Sequence, residues 1–224
     1  MRYKLITFDV FSALCDIQGT FIPLLNEFDE FNGKDVSAFF QMWRNKQYEY
    51  LIIHNSLERE FMSFEEVTRR TLDYTLQENN IELVKKEREY LVANWSKLKF
   101  WSEAEKVVQE VRERGYLIGM LSNGDQKMLM ELQTNCNIKF DFLLSAEKVG
   151  YYKPSPRIYK YAYEQADIKI EELLHVAGST IDILGAISAG IPCAWSNRKN
   201  LAAIDPSYRP TYQFSDLTEL LEHI

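Results

Sequence analysis

At 224 residues the chain has room for one large domain, or for a core with a smaller domain inserted into it. A composition 46% hydrophobic and 13% aromatic supports a sizeable core, and a net charge of −7 offers no general attraction to nucleic acid or to an anionic membrane. No apolar run approaches the ~20 residues of a membrane helix, and the short N-terminal apolar run contains Asp9, which argues against a signal peptide.

Leu5-Ile6-Thr7-Phe8-Asp9-Val10-Phe11-Ser12-Ala13-Leu14 opens with apolar and β-branched residues and reads as a buried strand. An ionised carboxylate inside such a run is costly, which places Asp9 at the strand's carboxyl end. In open α/β sheets that edge is where ligands bind. From there to about Leu98 the pattern is helical. Val36, Phe39, Phe40, Trp43, Tyr50 and Leu51 recur at the spacing of one long amphipathic helix, Ser63 and Glu66 fit a capping box for a second, and residues 85–95 predict a third. No strand signal interrupts this block, which reads as a small helical bundle.

An α/β pattern then resumes. Ser102 and Glu105 predict another capping box, with Gly115 placed to end its helix. Residues 116–121 form an apolar strand that runs into Ser122-Asn123-Gly124, and residues 142–144 a shorter one. Ser155 and Pro156 suit the N-cap and first position of a helix through Tyr159 and Ala162. Leu173–Ala177 is the next strand, residues 180–189 a helix stopped by Gly190, and residues 191–195 and Tyr212–Phe214 the last strands, with Ser215 capping a final helix. Strands alternating with helices predict a doubly wound parallel sheet. Cys15, Cys136 and Cys193 are odd in number and widely spaced, as befits buried thiols in a reducing compartment such as the cytoplasm. His54, His175 and His223 lack ligand spacing and read as surface or core histidines.

In a parallel sheet all carboxyl ends share one edge. Asp9, Ser122-Asn123 and the segment from Gly178 to Asp182 each follow a strand, and Lys153 reaches the same edge by a loop. Asp9 is then a candidate nucleophile and Lys153 a cation to keep it ionised. Ser122 and Asn123 offer donors for an anion, and Asp182 could orient Lys153 or a water. Each piece also has a plainer use: Ser122 to Asp125 as a helix cap, Lys153 as a loop lysine, Asp182 as a first-turn acid favoured by the helix dipole. Their falling in order along one edge favours a shared site.

This ordered set resembles the haloacid dehalogenase superfamily over essentially the whole chain. Its motifs correspond here to Asp9-Val10-Phe11-Ser12-Ala13, Ser122-Asn123-Gly124, Lys153-Pro154 and Gly178-Ser179-Thr180-Ile181-Asp182. Phosphatases of the superfamily place an acid where Phe11 stands and commonly a metal-binding Asp where Gly178 stands; L-2-haloacid dehalogenases carry an aromatic at the Phe11 position and need no metal. Trp43-Arg44-Asn45-Lys46-Gln47-Tyr48-Glu49-Tyr50 resembles the dehalogenase cap helix, with Arg44 as the halide-receiving arginine, and Tyr159 matches the active-site tyrosine. The chain departs from the pattern at Ser12 and Ala13, which replace Gly-Thr, and at Ala177 and Ser179, which replace Ser and Asn.

The expected fold is thus an α/β core with a doubly wound, Rossmann-like parallel sheet, residues 1–14 and 99–224, and an inserted all-helical cap, residues 15–98. The resemblance implies hydrolytic dehalogenation of a small (S)-2-haloacid through an ester on Asp9. Lys153 and Asp182 would complete the catalytic set, and Phe11, Arg44, Ser122, Asn123, Tyr159 and Ser179 would bind substrate. No cofactor is implied. The alternatives are a phosphatase-like hydrolase using Mg²⁺ on a small phosphate ester, and a non-catalytic binding protein on the same scaffold. The expected partner is a small molecule, with no nucleic acid and no membrane, and the apolar residues 48–53 are expected to support a homodimer.

Overall fold

The computed structural model describes residues 2–57 and 60–224. Its centre is β1 (Leu5–Phe8), buried along its whole length, as a strand covered on both faces must be. Around it run β2 (Leu117–Ser122), β3 (Phe142–Ser145), β4 (Leu173–Ala177), β5 (Cys193–Ser196) and β6 (Tyr212–Phe214), all paired in parallel in the order β3-β2-β1-β4-β5-β6. The chain leaves β1 for β2 on one side and β4 on the other, so the order reverses at the carboxyl end of β1. This is the position of Asp9, at the switch point of the sheet.

The apolar run does not continue as a strand past Phe8. Val10–Leu14 winds into one π-helical turn, closed by Leu14 N–H to Asp9 O at 3.2 Å and Cys15 N–H to Val10 O at 3.0 Å. Such turns are rare and recur at functional sites. The chain then leaves the α/β layer and returns to it side by side. Cys15 and Phe100 form an isolated antiparallel bridge, flanked by Asp16 N–H to Lys99 O at 2.8 Å and Trp101 N–H to Leu14 O at 2.9 Å.

Between these points lie α1 (Ile17–Leu25), α2 (Val36–Ser56), α3 (Phe64–Glu78) and α4 (Lys85–Ala93). They pack around aromatic rings: Phe21, Phe40, Trp43, Phe64 and Trp95 are fully or almost fully buried, with Trp43 perpendicular to Trp95 at 5.8 Å. Residues 94 and 95, expected as the end of a helix, belong instead to a 3₁₀ turn, Asn94–Lys97. Among the links that tie this block to the α/β layer, these bear on the site. The carboxylate of Asp125 accepts from Phe64 N–H at 2.7 Å and Glu65 N–H at 2.8 Å, so the N-terminus of α3 is capped by a residue 60 positions downstream of Glu65. Asn55 and Tyr152 exchange two hydrogen bonds, at 2.7 and 3.0 Å. The Tyr152 hydroxyl donates to Met62 O.

The second half adds α5 (Ala104–Glu113), α6 (Gln126–Asn135), α7 (Pro156–Gln165) and α8 (Thr180–Ser188). Several expected caps differ. Ser63 accepts from Glu66 N–H at 3.2 Å, but the Glu66 carboxylate turns to Arg69 and Arg70 and does not close the box. Ser102 does not cap α5, which starts after Glu103; Glu103 is drawn to Arg198, and Ser102 only donates to it. Ser215 is not the last cap either: Asp216 accepts from Thr218 N–H at 2.8 Å and starts a 3₁₀ turn, Leu217–Glu222. β5 begins at Cys193, two residues later than the apolar pattern, because Pro192 has no N–H for the ladder. Gly115 and Gly190 do end their helices, at φ values of 91° and 80° that favour glycine.

The cap on α3 is borrowed across the two parts of the molecule, and its loss should be felt in both. Asp125→Ala is expected to lower stability by about 1 kcal/mol, the usual worth of an N-cap, in urea denaturation. Amide exchange should accelerate first at Phe64 and Glu65.

Candidate active site

A lysine ammonium and two aspartate carboxyl groups meet at the carboxyl edge of the sheet. The Lys153 ammonium lies 3.1 Å from Asp9 Oδ1 and 2.9 Å from Asp182 Oδ2, and the exposures of the three residues are only 5%, 6% and 3%. Local folding delivers each. Asp9 follows β1 and is anchored by its own N–H to Val176 O at 2.9 Å. Its second oxygen, Oδ2, accepts from Ser12 N–H at 2.9 Å and from the Ser12 hydroxyl at 2.5 Å, because the π-turn folds Ser12 back over it. Lys153 is set by Asn123, whose amide oxygen accepts from Lys153 N–H at 2.7 Å. Asp182 stands in the first turn of α8, where its N–H donates to Ser179 Oγ at 3.3 Å.

Asp182 is saturated with donors. Besides Lys153, the Tyr159 hydroxyl donates to Oδ1 at 2.6 Å, and His175 Nε2 lies 3.0 Å from Oδ2. Burial by itself would raise the pKa of Asp182. The field of Lys153, then that of His175 and the hydrogen bonds of His175 and Tyr159, overcome this and hold it well below the ordinary carboxylate range. Burial likewise opposes the charge on Lys153, and Asp182 and Asp9 together more than offset it, so its pKa rises. Burial and then the neighbouring Asp182 push the Tyr159 phenol well up.

Facing this cluster is Arg44 of α2. Its guanidinium is buried, donates to Gln47 Oε1 at 2.5 Å, and lies over the rings of Tyr48 at 4.7 Å, Trp95 at 4.8 Å and Phe11 at 5.7 Å. Among the described residues no carboxylate pairs with it, and its Nε–H has no partner. Asp9, Phe11, Arg44, Tyr48, Leu51, Phe64, Asn123, Lys153, Ser179, Ile181 and Asp182 enclose one cavity of about 20 Å³, room for about a single water. A wider cavity of about 390 Å³ lies behind the nucleophile turn, against Ser12, Gly178 and Arg198, and is not lined by Asp9, Lys153 or Asp182.

A family model described as haloacid dehalogenase-like hydrolase matches residues 3–190. The chain belongs to this family. This haloacid dehalogenase-like hydrolase is 27% identical over 221 residues to an (S)-2-haloacid dehalogenase of Pseudomonas sp. (strain YL), with 98% of this chain and 93% of the relative covered. It is 27% identical over 213 residues to haloacetate dehalogenase H-2 of Moraxella sp. (strain B), covering 94% and 93%. The solved L-2-haloacid dehalogenase from Xanthobacter autotrophicus with chloropropionic acid covalently bound shares the fold, with a TM-score of 0.86 at 22% identity over 98% of this chain and 97% of that one.

Of the residues singled out in the sequence, Asp9, Phe11, Arg44, Asn123, Lys153, Ser179 and Asp182 line the shared cavity of the haloacid dehalogenase-like site. Two do not. Ser122 is fully buried and its hydroxyl accepts from Gly124 N–H at 3.0 Å, so it shapes the turn carrying Asn123. Tyr159 is fully buried behind Asp182. Tyr48, Leu51, Phe64 and Ile181 join the wall without having been singled out for it; Tyr48 and Leu51 follow Arg44 at helical spacing, which was the available sign. His175 is expected from the sequence as a surface or core histidine. It is buried, yet it touches two members of the cluster.

The residues do not fit a divalent cation held in the phosphatase manner. The Lys153 ammonium bridges Asp9 and Asp182, where such an ion would need their oxygens. Gly178 cannot be replaced by an acid, because a Cβ there would collide with the backbone of Ser12 and Ala13. Among the described residues no group of three or more His, Cys, Asp or Glu is arranged to hold a metal.

Two outcomes follow from this packing. Gly178→Ala should cost about 1–3 kcal/mol by overpacking against backbone that cannot yield, measured by urea denaturation, and should displace Ser12 from Asp9. Asp182 has a folded pKa held below its unfolded value near 3.9, so its contribution is fully present above about pH 4 and is lost as acid carries the pH down toward the folded value. Asp182→Asn should therefore flatten the acid limb of stability against pH between about pH 4 and pH 2 in denaturation series at fixed pH.

Proposed function

We propose that the protein hydrolyses the carbon–halogen bond of a small (S)-2-haloacid through an ester on Asp9. The observation that carries this reading is the shared cavity: a carboxylate at a strand end on one side, and on the other a buried guanidinium with no carboxylate partner among the described residues. A buried cation left unpaired is costly, which suits a position reserved for an incoming anion. The substrate supplies two anions, its carboxylate and the departing halide. The curated relatives named as (S)-2-haloacid and haloacetate dehalogenases support the substrate class.

In this reading an Asp9 oxygen attacks C2, the C2–halogen bond breaks, and halide departs toward Arg44 and the amide NH₂ of Asn123, whose oxygen is already taken by Lys153 N–H. The Lys153 ammonium lies against Asp9 Oδ1 and offsets its negative charge. Ser179 is a donor for the substrate carboxylate; Ser122, expected in that role, does not line the cavity in this closed arrangement. Phe11, Leu51, Phe64 and Ile181 keep water from the displacement. Water next attacks the ester carbonyl carbon, near Lys153 and Asp182, and frees the hydroxy acid. A cavity of about 20 Å³ is tight for a haloacid, which supports a helical block that lifts for substrate to enter and closes again over Asp9. No metal is assigned to either step. The phosphatase alternative is disfavoured by Phe11, which cannot transfer a proton, and by the closed backbone contact at Gly178.

The protein is further proposed to act in a reducing, cytoplasmic setting, which the three buried free thiols support. Among the described residues no helix is long and apolar enough to cross a membrane. A homodimer is proposed through the exposed Ile52, Ile53 and Leu57; Tyr48 and Leu51 of the same helix are committed to the cavity wall. A monomer in sedimentation at micromolar concentration would remove that element.

The reaction is tested by one turnover of L-2-chloropropionate in heavy-oxygen water, with and without chelator. Unlabelled product with label left in the Asp9 peptide is expected, indifferent to chelator; label in the first product molecule and none in Asp9 would overturn the nucleophile. Arg44→Met should lower kcat/KM roughly 100-fold, as loss of a group that meets developing charge does. Its stability should stay level or rise, since an unpaired buried charge is exchanged for apolar bulk.

A further inference from the structure

We propose that His175 is a positioning residue for the second half of the reaction, holding Asp182 in place while Asp9 is an ester. The inference rests on the dehalogenase reading. His175 lies on β4 directly opposite Thr7 of β1 in the parallel register, and it is fully buried. Its Nδ1 is 2.9 Å from Thr7 Oγ1, and its Nε2 is 3.0 Å from Asp182 Oδ2 and 3.4 Å from Lys153 Nζ. Ionised Asp182 can only accept, so its 3.0 Å contact with Nε2 is a hydrogen bond when Nε2 carries the hydrogen, and that tautomer is part of the proposal. Thr7 can serve Nδ1 as donor or acceptor, so this contact tolerates the neutral and the charged ring alike.

The need arises from a change of charge. At rest Lys153 is shared between Asp9 and Asp182. Formation of the ester turns Asp9 neutral and leaves Asp182 as the sole carboxylate partner of Lys153 among the described residues. The two charges then attract along one line, and a carboxylate on a single tether would follow the ammonium. Asp182 is braced instead from two rigid elements, by His175 of β4 on Oδ2 and Tyr159 of α7 on Oδ1. The pair keeps its place beside Asp9 when the water oxygen bonds to the ester carbonyl carbon. The ester bond to the substrate oxygen breaks, one proton of the water goes to that oxygen, and the other leaves to solvent. The displacement step comes before this charge change and needs the brace less.

The test compares His175→Leu, which removes the donor, with His175→Gln, whose amide can restore one. In single-turnover chloride release His175→Leu should stay within about threefold of wild type, while breakdown of the ester slows roughly 10- to 100-fold, so that ester accumulates on the Asp9 peptide by mass spectrometry. His175→Gln should recover most of the loss. Equal slowing of both steps in His175→Leu, no accumulation, or a Gln variant no better than Leu would overturn the proposal. The ¹⁵N imidazole spectrum of the wild-type protein needs neither variant nor turnover: protonated Nε2 supports the contact and a bare Nε2 overturns it. Absence of chloride release by wild type would strike the dehalogenase reading, and that spectrum would then decide the His175 contact separately.

Discussion

A lysine ammonium withdrawn from water stays charged only among anions, and Lys153 has two. Much of the site is arranged to keep this triad in register. β1 ends where Asp9 must project, the π-turn folds Ser12 onto the oxygen that Lys153 leaves free, and Asn123 grips the backbone at Lys153. Remove the ammonium and two carboxylates face each other in a nearly dry space; remove either carboxylate and the remaining pair loses its symmetry. The same tension that makes the cluster demanding to fold leaves Asp9 a largely desolvated group.

The opposite wall follows another logic. Arg44 is held by ring faces and one amide, with no carboxylate among the described residues. Aromatic faces stabilise a guanidinium without discharging it, so its field remains directed into the cavity. The aromatic packing of the helical block thus serves two ends: it gives that block a core of its own, and it presents a cation that an incoming anion can still use. Two of the links from the block to the α/β layer attach beside the residues that matter. Asp125 lies two positions after Asn123, and Tyr152 directly precedes Lys153. Lifting the block therefore pulls on the loops that position the site.

Much of the layout was legible because chemistry-bearing residues interrupt apolar runs. Asp9 after a buried strand, Ser122-Asn123 after another and Asp182 at the start of a helix announce an edge. Sequence does not show which way a hydroxyl at that edge turns: Ser122 faces its own turn, and Tyr159 backs Asp182. His175 was invisible for a related reason. In Leu-Leu-His-Val-Ala it reads as an odd core residue, and its meaning comes from Thr7, 168 positions away, and from Asp182 on the next helix. The false cap at Ser102 has the same origin, since Glu103 answers to Arg198, 95 positions downstream. Local patterns locate elements, while partners distant in sequence decide the orientation of single side chains.

The bridge between Cys15 and Phe100 has a consequence for how such a molecule can change over time. An insertion whose two ends meet side by side asks little of its host, because the host chain spans the same short gap whatever length is looped out between, and the entropy of closing that loop grows only slowly with its length. The helical block is in this sense a detachable accessory. Its length and its helices can be rewritten while the sheet and the Asp9–Lys153–Asp182 triad stay as they are, provided the Cys15–Phe100 bridge still forms. Arg44 and the Asp9–Lys153–Asp182 triad are thereby carried on separately editable stretches of one chain.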